Sequence, residues 1–424
     1  MSSSRPAKLR ESERRSGPQA AVVALMAASL LACLGLLELG LRAFFVAPAA
    51  LAANYPLGRG LARADLRLEQ REYAVHLRYN RHGFRDEELP PARGAGELRL
   101  LCLGDSFVEG VGVEVEDRFC DVAERELARR RGEPVVAINA GQMATGPIEY
   151  FRNLVDFGVA LEPDLVIVAI FAGNDFMGGR RLFRIEREVK LRLPERQAWW
   201  ASSFVARGAA QLVSDQAYLV RNLRGKSVWQ AAFGVPVNRS FYLEKLRFLA
   251  VTPDELDAAA ARMDPALVAD FMAGRLNPSY FIEAVAMNVV AMRGHEPPPH
   301  PYSERDVAGL VHLLERARAI LAARGIELVV LVIPHAHETH RAQHTVFLQA
   351  LAMEPPPQLL QLPELRRDLV AQLEASDLRV VDLTEDLRAA AALPFHVMDG
   401  HFDELGHRIA TDALLREIET TPGG

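Results

Sequence analysis

Five short apolar runs punctuate the chain: ELRLLCLG (97–104), PVVAINAG (134–141), PDLVIVAIFAG (163–173), IELVVLVIP (326–334) and LRVVDL (378–383). Each is rich in aliphatic side chains and nearly continuous, the pattern of a parallel strand covered on both faces. Stretches of helical period lie between them. DRFCDVAERELARRR (117–131), for instance, sets Phe119, Val122 and Leu127 on one side. Strand and helix in alternation predict a doubly wound α/β sheet.

Between Phe176 and Ser303 the rhythm is lost. Helical patterns such as PDELDAAAARM and YFIEAVAMNVVAM follow, closed by PPPHP (297–301). The spacing predicts a helical insertion over about 177–302 within one domain, because two more strands are needed afterwards to finish the sheet. Its opening stretch, 180–196, carries seven basic and three acidic residues. That stretch reads either as a solvated face or as a rim attracting acidic substrate or lipid head groups. Trp199-Trp200 could stack on sugar rings, anchor at a membrane interface or pack within the insertion.

At the other end, no charge interrupts Ser16 to Leu37. A bilayer core takes roughly 20 helical residues, so this segment is long enough to span one. Arg5, Lys8, Arg10, Arg14 and Arg15 precede it and only Arg42 follows closely. That bias predicts a cytoplasmic N-terminus and an extracytoplasmic catalytic domain, in periplasm or at the cell surface. Secretory h-regions run only about 7–15 residues, which favours an uncleaved single-pass anchor. LLAC at Cys33 loosely matches a lipoprotein cleavage box, but the LGLLELGLRAFF that follows is too apolar for a mature lipoprotein start. The expected organisation is a tail over 1–18, a transmembrane anchor over 19–45, a juxtamembrane segment without sustained period over 46–96, and a catalytic domain over 97–418.

Composition narrows the function classes. A net charge of −6 over 424 residues leaves no basic footprint for nucleic acid. Cys33, Cys102 and Cys120 are far apart and form neither a metal pair nor an even disulfide framework.

Ligands of open α/β sheets bind beyond the carboxyl ends of the strands. The first run delivers Gly104-Asp105-Ser106 there, the second Asn139-Ala140-Gly141, the third Gly173-Asn174-Asp175 and the fourth Pro334-His335-Ala336-His337. MDGHFDELGHRIA, near the chain end, adds Asp399 and His401. Taken singly, these are turn and cap residues, and Ser106 alone reads as helix punctuation. Together they bring a hydroxyl, an amide, a carboxylate and an imidazole to one edge.

The GDS, GND and D-x-H-F-x-x-x-G-H motifs, in this order, resemble the SGNH/GDSL hydrolases over roughly 97–176 and 320–415. NRHGFRDEEL ahead of the first strand is similar to the membrane-anchored bacterial members. The resemblance implies a three-layer, flavodoxin-like parallel sheet, with Ser106 as nucleophile, His401 as general base and Asp399 as its orienting partner. It implies an oxyanion hole of Ser106, Asn174 and a backbone N–H at Ala144, where the family normally has glycine; Gly146 is the alternative donor. The chemistry fits the residue types. A serine hydroxyl needs a base to take its proton, and a buried carboxylate holds the imidazole tautomer. Asp399 and His401 are two apart, so an extended segment would put both on one face. The α/β-hydrolase elbow is absent, since Val108 stands where its second glycine belongs.

Asp105 and Asp175 read as structural hydrogen-bonding residues, and His407 as a packing or surface histidine rather than a second base. His335, His337 and His340 lack a carboxylate or cysteine to complete a metal set, so no metal or other cofactor is expected. His335 and His337 are candidate substrate contacts at the mouth of the site. The function that follows is a membrane-anchored serine esterase cleaving acyl, including acetyl, esters of carbohydrate or lipid. The alternatives are an O-acyltransferase of cell-surface polysaccharide and a non-catalytic binding module on the same fold.

Overall fold

The computed structural model describes residues 18–44, 65–80, 83–88, 93–143, 145–176, 182, 238–295 and 302–420. A two-stranded antiparallel hairpin, β1 (Asp65–Glu69) and β2 (Ala74–Arg78), precedes the main sheet. That sheet contains β3 (Leu98–Leu103), β4 (Val135–Asn139), β5 (Leu165–Phe171), β6 (Glu327–Ile333) and β7 (Arg379–Asp382). They are all parallel, in the order β4-β3-β5-β6-β7. The five apolar runs are these five strands.

Alternation along each strand feeds two separate cores. Leu101, Leu103, Val166, Val168, Val330 and Val332 face one layer, with side chains from the helices Pro147–Asn153, Glu304–Ala322 and Pro357–Ala375. Leu100, Cys102, Ile167, Ala169, Val329 and Leu331 face the other, with the helices Phe119–Arg131 and Glu404–Thr420. This three-layer order is that of a flavodoxin-like sheet, and its direction reverses at β3, where a ligand crevice is expected.

Residues 238–295, the described part of the insertion, are helical. The dipeptides Thr252-Pro253, Asp264-Pro265 and Asn277-Pro278 start three of its helices, each with a capping side chain that accepts a backbone N–H and a proline in the first turn. These helices close around Tyr242, Phe271 and Phe281 and pack on Phe347 and Leu351, beyond β6. Apart from Leu182, the basic stretch 180–196 lies outside the described residues, as do Trp199-Trp200 and PPPHP.

Three expectations change. The juxtamembrane segment is not featureless: Leu68, Val75, Leu77 and Tyr79 bury one side of the hairpin. Cys102 and Cys120 form a disulfide, with Cα atoms 6.6 Å apart, because the helix Phe119–Arg131 packs directly on β3 and brings together residues 18 apart. The anchor is also not found as expected. A 27-residue helix, Pro18–Phe44, does form, with Val23, Leu25, Leu31 and Leu36 exposed. Yet among the described residues no helix is long and apolar enough to cross a membrane. The tail over 1–17 lies outside the described residues.

Candidate active site

β3 ends in a close-packed turn. Asp105 caps the short helix Ser106–Glu109, its Oδ1 accepting from the Phe107 N–H at 3.0 Å. The punctuation is therefore real, but Asp105 performs it. Ser106 turns its hydroxyl toward the chain end instead, where Oγ lies 2.7 Å from His401 Nε2. His401 Nδ1 meets Asp399 Oδ1 on its other side. A carboxylate can only accept, so the Nδ1 proton belongs to that contact and Nε2 is left to accept from the serine.

Asp399 and His401 do not share a face of an extended strand. Gly400 between them is left-handed, at φ +89°, and a Cβ there would press into the Tyr280 hydroxyl. Only glycine takes this conformation without cost. Burial works against both charged forms, yet the pair outweighs it. Asp399 is held below the ordinary carboxylate range by His401 and by hydrogen bonds from His401 and Tyr73. His401 is raised above the ordinary imidazole value by Asp399.

The third strand end brings Asn174 to the same place. Its Nδ2 donates to Asp105 Oδ2 at 3.2 Å, which fixes the amide orientation. Asp105 is pushed up by burial, partly offset by the Phe107 N–H. Asp175 is structural: Oδ2 accepts from the Phe171 N–H and Oδ1 from the Tyr150 hydroxyl, both at 2.9 Å. Ser106 opens a helix, so its N–H has no acceptor within that helix and is available to an incoming oxyanion. Ala144 lies outside the described residues. The alternative donor, Gly146, gives its N–H to Glu149 Oε2 at 3.3 Å in a capping box, so it is already engaged.

The two candidate substrate histidines separate. His335 is partly exposed, accepts the His337 N–H at 3.0 Å through Nδ1, and stacks on Phe171 with centroids 6.0 Å apart. Phe171 packs on Phe107, which packs on the His401 ring. His335 thus lies two rings from the base, held neutral by burial that pulls its pKa down to about 3. His337 is 2% exposed, with Nδ1 3.3 Å from His344 Nδ1, which makes it a packing residue rather than a mouth residue. His407 is also buried and accepts the Phe119 N–H at 3.2 Å. Among the described residues no group of histidine, cysteine or carboxylate side chains could hold a metal ion.

Several contributors were not foreseen. Tyr73, in the hairpin turn, donates to Asp399 Oδ2 at 2.9 Å. Asn277, from the insertion, donates to the Asp399 carbonyl at 3.0 Å. Arg85, from the NRHGFRDEEL motif, is 1% exposed and donates to the carbonyls of Gly110 (2.6 Å), Val113 (2.7 Å) and His76 (2.9 Å). Arg118 beside it pairs with Asp86 and Asp121. Glu109 accepts from the Tyr79 hydroxyl at 2.5 Å and from the Met143 N–H, tying the nucleophile helix to the loop after β4. The signal for Tyr73 was two five-residue alternating segments, DLRLE and AVHLR, around a polar turn.

Residues 293–424 match the family model of the SGNH hydrolase-like domain of acetyltransferase AlgX. A comparison with curated proteins finds no match. Among solved structures, the chain is similar to the acetylxylan esterase Axe2 from Geobacillus stearothermophilus, at 11% identity and TM-score 0.36, covering 76% of this chain and 94% of that one. It is also similar to the lipase/acylhydrolase from Enterococcus faecalis, at 13% identity and TM-score 0.36, covering 77% and 99%. The family match, confined to residues 293–424, contains Asp399 and His401, and the fold delivers Ser106 and Asn174 to them from two strand ends: this C-terminal part of the chain is similar to an SGNH hydrolase-like domain.

Proposed function

We propose that this protein is a serine esterase that cleaves acyl, including acetyl, esters through an acyl-Ser106 intermediate. One observation carries the reading: the 2.7 Å contact from Ser106 Oγ to His401 Nε2, with Asp399 behind the ring. His401 takes the serine proton as Oγ attacks the ester carbonyl, and Asp399 stabilises the imidazolium that results. The Ser106 N–H and the Asn174 amide face the developing oxyanion, where a preorganised donor is worth most. His401 then returns the proton to the leaving alkoxide, and a second nucleophile releases the acyl group by the same steps in reverse.

A second reading, transfer of the acyl group to a carbohydrate hydroxyl, is favoured by the family match, whose description names an acetyltransferase. Both chemistries share the acyl-serine and differ only in the acceptor. Product partitioning separates them: purified protein receives an activated acetyl ester, with and without polysaccharide. Free acetate alone, abolished by Ser106→Ala, supports the esterase. Acetyl appearing on sugar faster than acetate is released overturns it. The third reading, a binding module, has no need of a hydrogen-bonded serine and histidine.

We also propose that the catalytic domain lies outside the cytoplasm. The basic residues ahead of the uncharged stretch from Ser16 to Leu37 support this. The Cys102–Cys120 disulfide supports it independently, since such bonds persist in oxidising compartments. A reporter fused after Gly424 tests it; cytoplasmic activity of that reporter overturns the topology.

A further inference from the structure

We propose that the turn joining β1 to β2 is a positioning element of the active site: Tyr73 fixes the carboxylate of Asp399, and Glu72 fixes the backbone that carries it. This rests on the acyl-serine reading above and assigns to that site a segment outside the main sheet.

Four contacts tie the turn down. Tyr73 donates its hydroxyl to Asp399 Oδ2 at 2.9 Å, while Oδ1 faces His401. Its ring packs on His396 with centroids 4.8 Å apart. Glu72 Oε2 accepts the Met398 N–H at 2.8 Å, one residue before the catalytic acid. Behind them, Arg71 donates its N–H to the Arg275 carbonyl at 2.8 Å and pairs with Asp270 at 2.5 Å, which fastens the turn to the insertion. The turn is thus wedged between two bodies and grips the catalytic loop at adjacent residues.

The need for such a grip follows from the loop itself. Asp399 sits beside a left-handed glycine in a segment with no strand ladder, so its side chain is not held by regular structure. One carboxylate oxygen serves the histidine. The other, held by a phenol, cannot rotate into its place. The Tyr73 hydroxyl stays protonated throughout the working range, since burial and then the Asp399 charge push its pKa well up.

A donor on Oδ2 also withdraws charge from the carboxylate, which makes the imidazolium less favourable. The groups that face this pair are His396 on the same loop, Glu72 and Tyr73 on the hairpin, Tyr280 on the insertion, and Asp105 and Glu109 on the nucleophile turn. Tyr73→Phe alters only one of them. It leaves Asp399 more charged, so the acid limb of kcat/KM moves to higher pH.

The experiment uses the full chain and p-nitrophenyl acetate across pH. Tyr73→Phe is expected to lower kcat by roughly ten- to a hundredfold, the worth of a hydrogen bond to a charged group, with KM little changed. Glu72→Ala lowers kcat too, and Glu72→Gln, which keeps an acceptor for the Met398 N–H, lowers it less. A merely structural turn would lower thermal stability and leave the acid limb in place. Unchanged kcat and an unmoved limb in Tyr73→Phe overturn the proposal. A second readout needs no turnover: the low-field NMR signal of the His401 Nδ1 proton, which Tyr73→Phe must displace. If wild-type protein neither releases p-nitrophenol nor labels at Ser106 with a fluorophosphonate, the acyl-serine reading fails. The displaced or unmoved proton signal then still supports or overturns the role of Tyr73.

Discussion

Replacing Arg85 by methionine tests whether the buried guanidinium is what holds the nucleophile turn. Methionine keeps much of the length and apolar bulk while removing every donor. Three carbonyls, those of Gly110, Val113 and His76, lose partners at 2.6, 2.7 and 2.9 Å inside the protein. An orphaned buried acceptor costs about 1–3 kcal/mol. Two features pull the sum toward its lower end. Burial, and then the neighbouring Arg118, already lower the Arg85 pKa, so removing the charge relieves some desolvation and repulsion. Arg85 Nε has no partner to lose. The expected destabilisation is therefore about 3 kcal/mol, one per carbonyl. In a domain of this size each kcal/mol moves the midpoint by about 2–4 °C, so thermal unfolding should shift down by about 6–12 °C. Arg85→Lys should recover less than half, because one ammonium cannot reach carbonyls arranged around a planar fork. A midpoint for Arg85→Met within 2 °C of wild type would refute the reasoning.

Asn174→Ala should lower kcat by roughly 10²–10³ with the fold intact, as loss of one oxyanion donor does; steady-state hydrolysis with a matched unfolding curve checks it, and unchanged turnover makes Asn174 structural. Because Asp399 holds the His401 pKa above its ordinary value, kcat/KM should fall on acidification with its limb above pH 6.5. Stability runs the other way. The raised folded pKa makes the protonated pair stabilising below the unfolded value, and that stabilisation is lost as pH rises through the folded one. Unfolding of wild type against His401→Gln across pH should show the difference greatest below pH 6.5. Non-reduced digestion should yield a peptide joined through Cys102 and Cys120, and replacing both by alanine should cost about 3 kcal/mol for a loop of this length; more than one free thiol per chain, that of Cys33, would contradict the pairing.

The sheet was legible because parallel strands buried on both faces leave unbroken aliphatic runs, and the runs that form β3 and β5 ended in Ser106 and Asn174. Asp399 and His401 end no such run and were legible from the D-x-H-F-x-x-x-G-H motif instead, the resemblance supplying the expected roles. What could not be read was everything that depends on distant packing. Tyr73 lies 326 residues from the carboxylate it touches, in a turn whose flanking alternation marks a hairpin but not its distant partner. Arg85 gave no sign of its burial, since arginine is rarely buried. The cysteine pair needed the packing of a helix on β3, which spacing alone does not give. Gly400 broke the expectation of an extended segment by adopting a conformation that its neighbours could not.

The order of these residues along the chain has a consequence during synthesis. Ser106, the proposed nucleophile, emerges early, while His401, the proposed base, follows 295 residues later. Until that last segment is made and docked, Ser106 is an ordinary hydroxyl without the imidazole beside it. A message truncated ahead of His396 would still encode every strand of the sheet, yet it would yield a protein that is chemically mute. Reactivity here arrives as the closing act of translation.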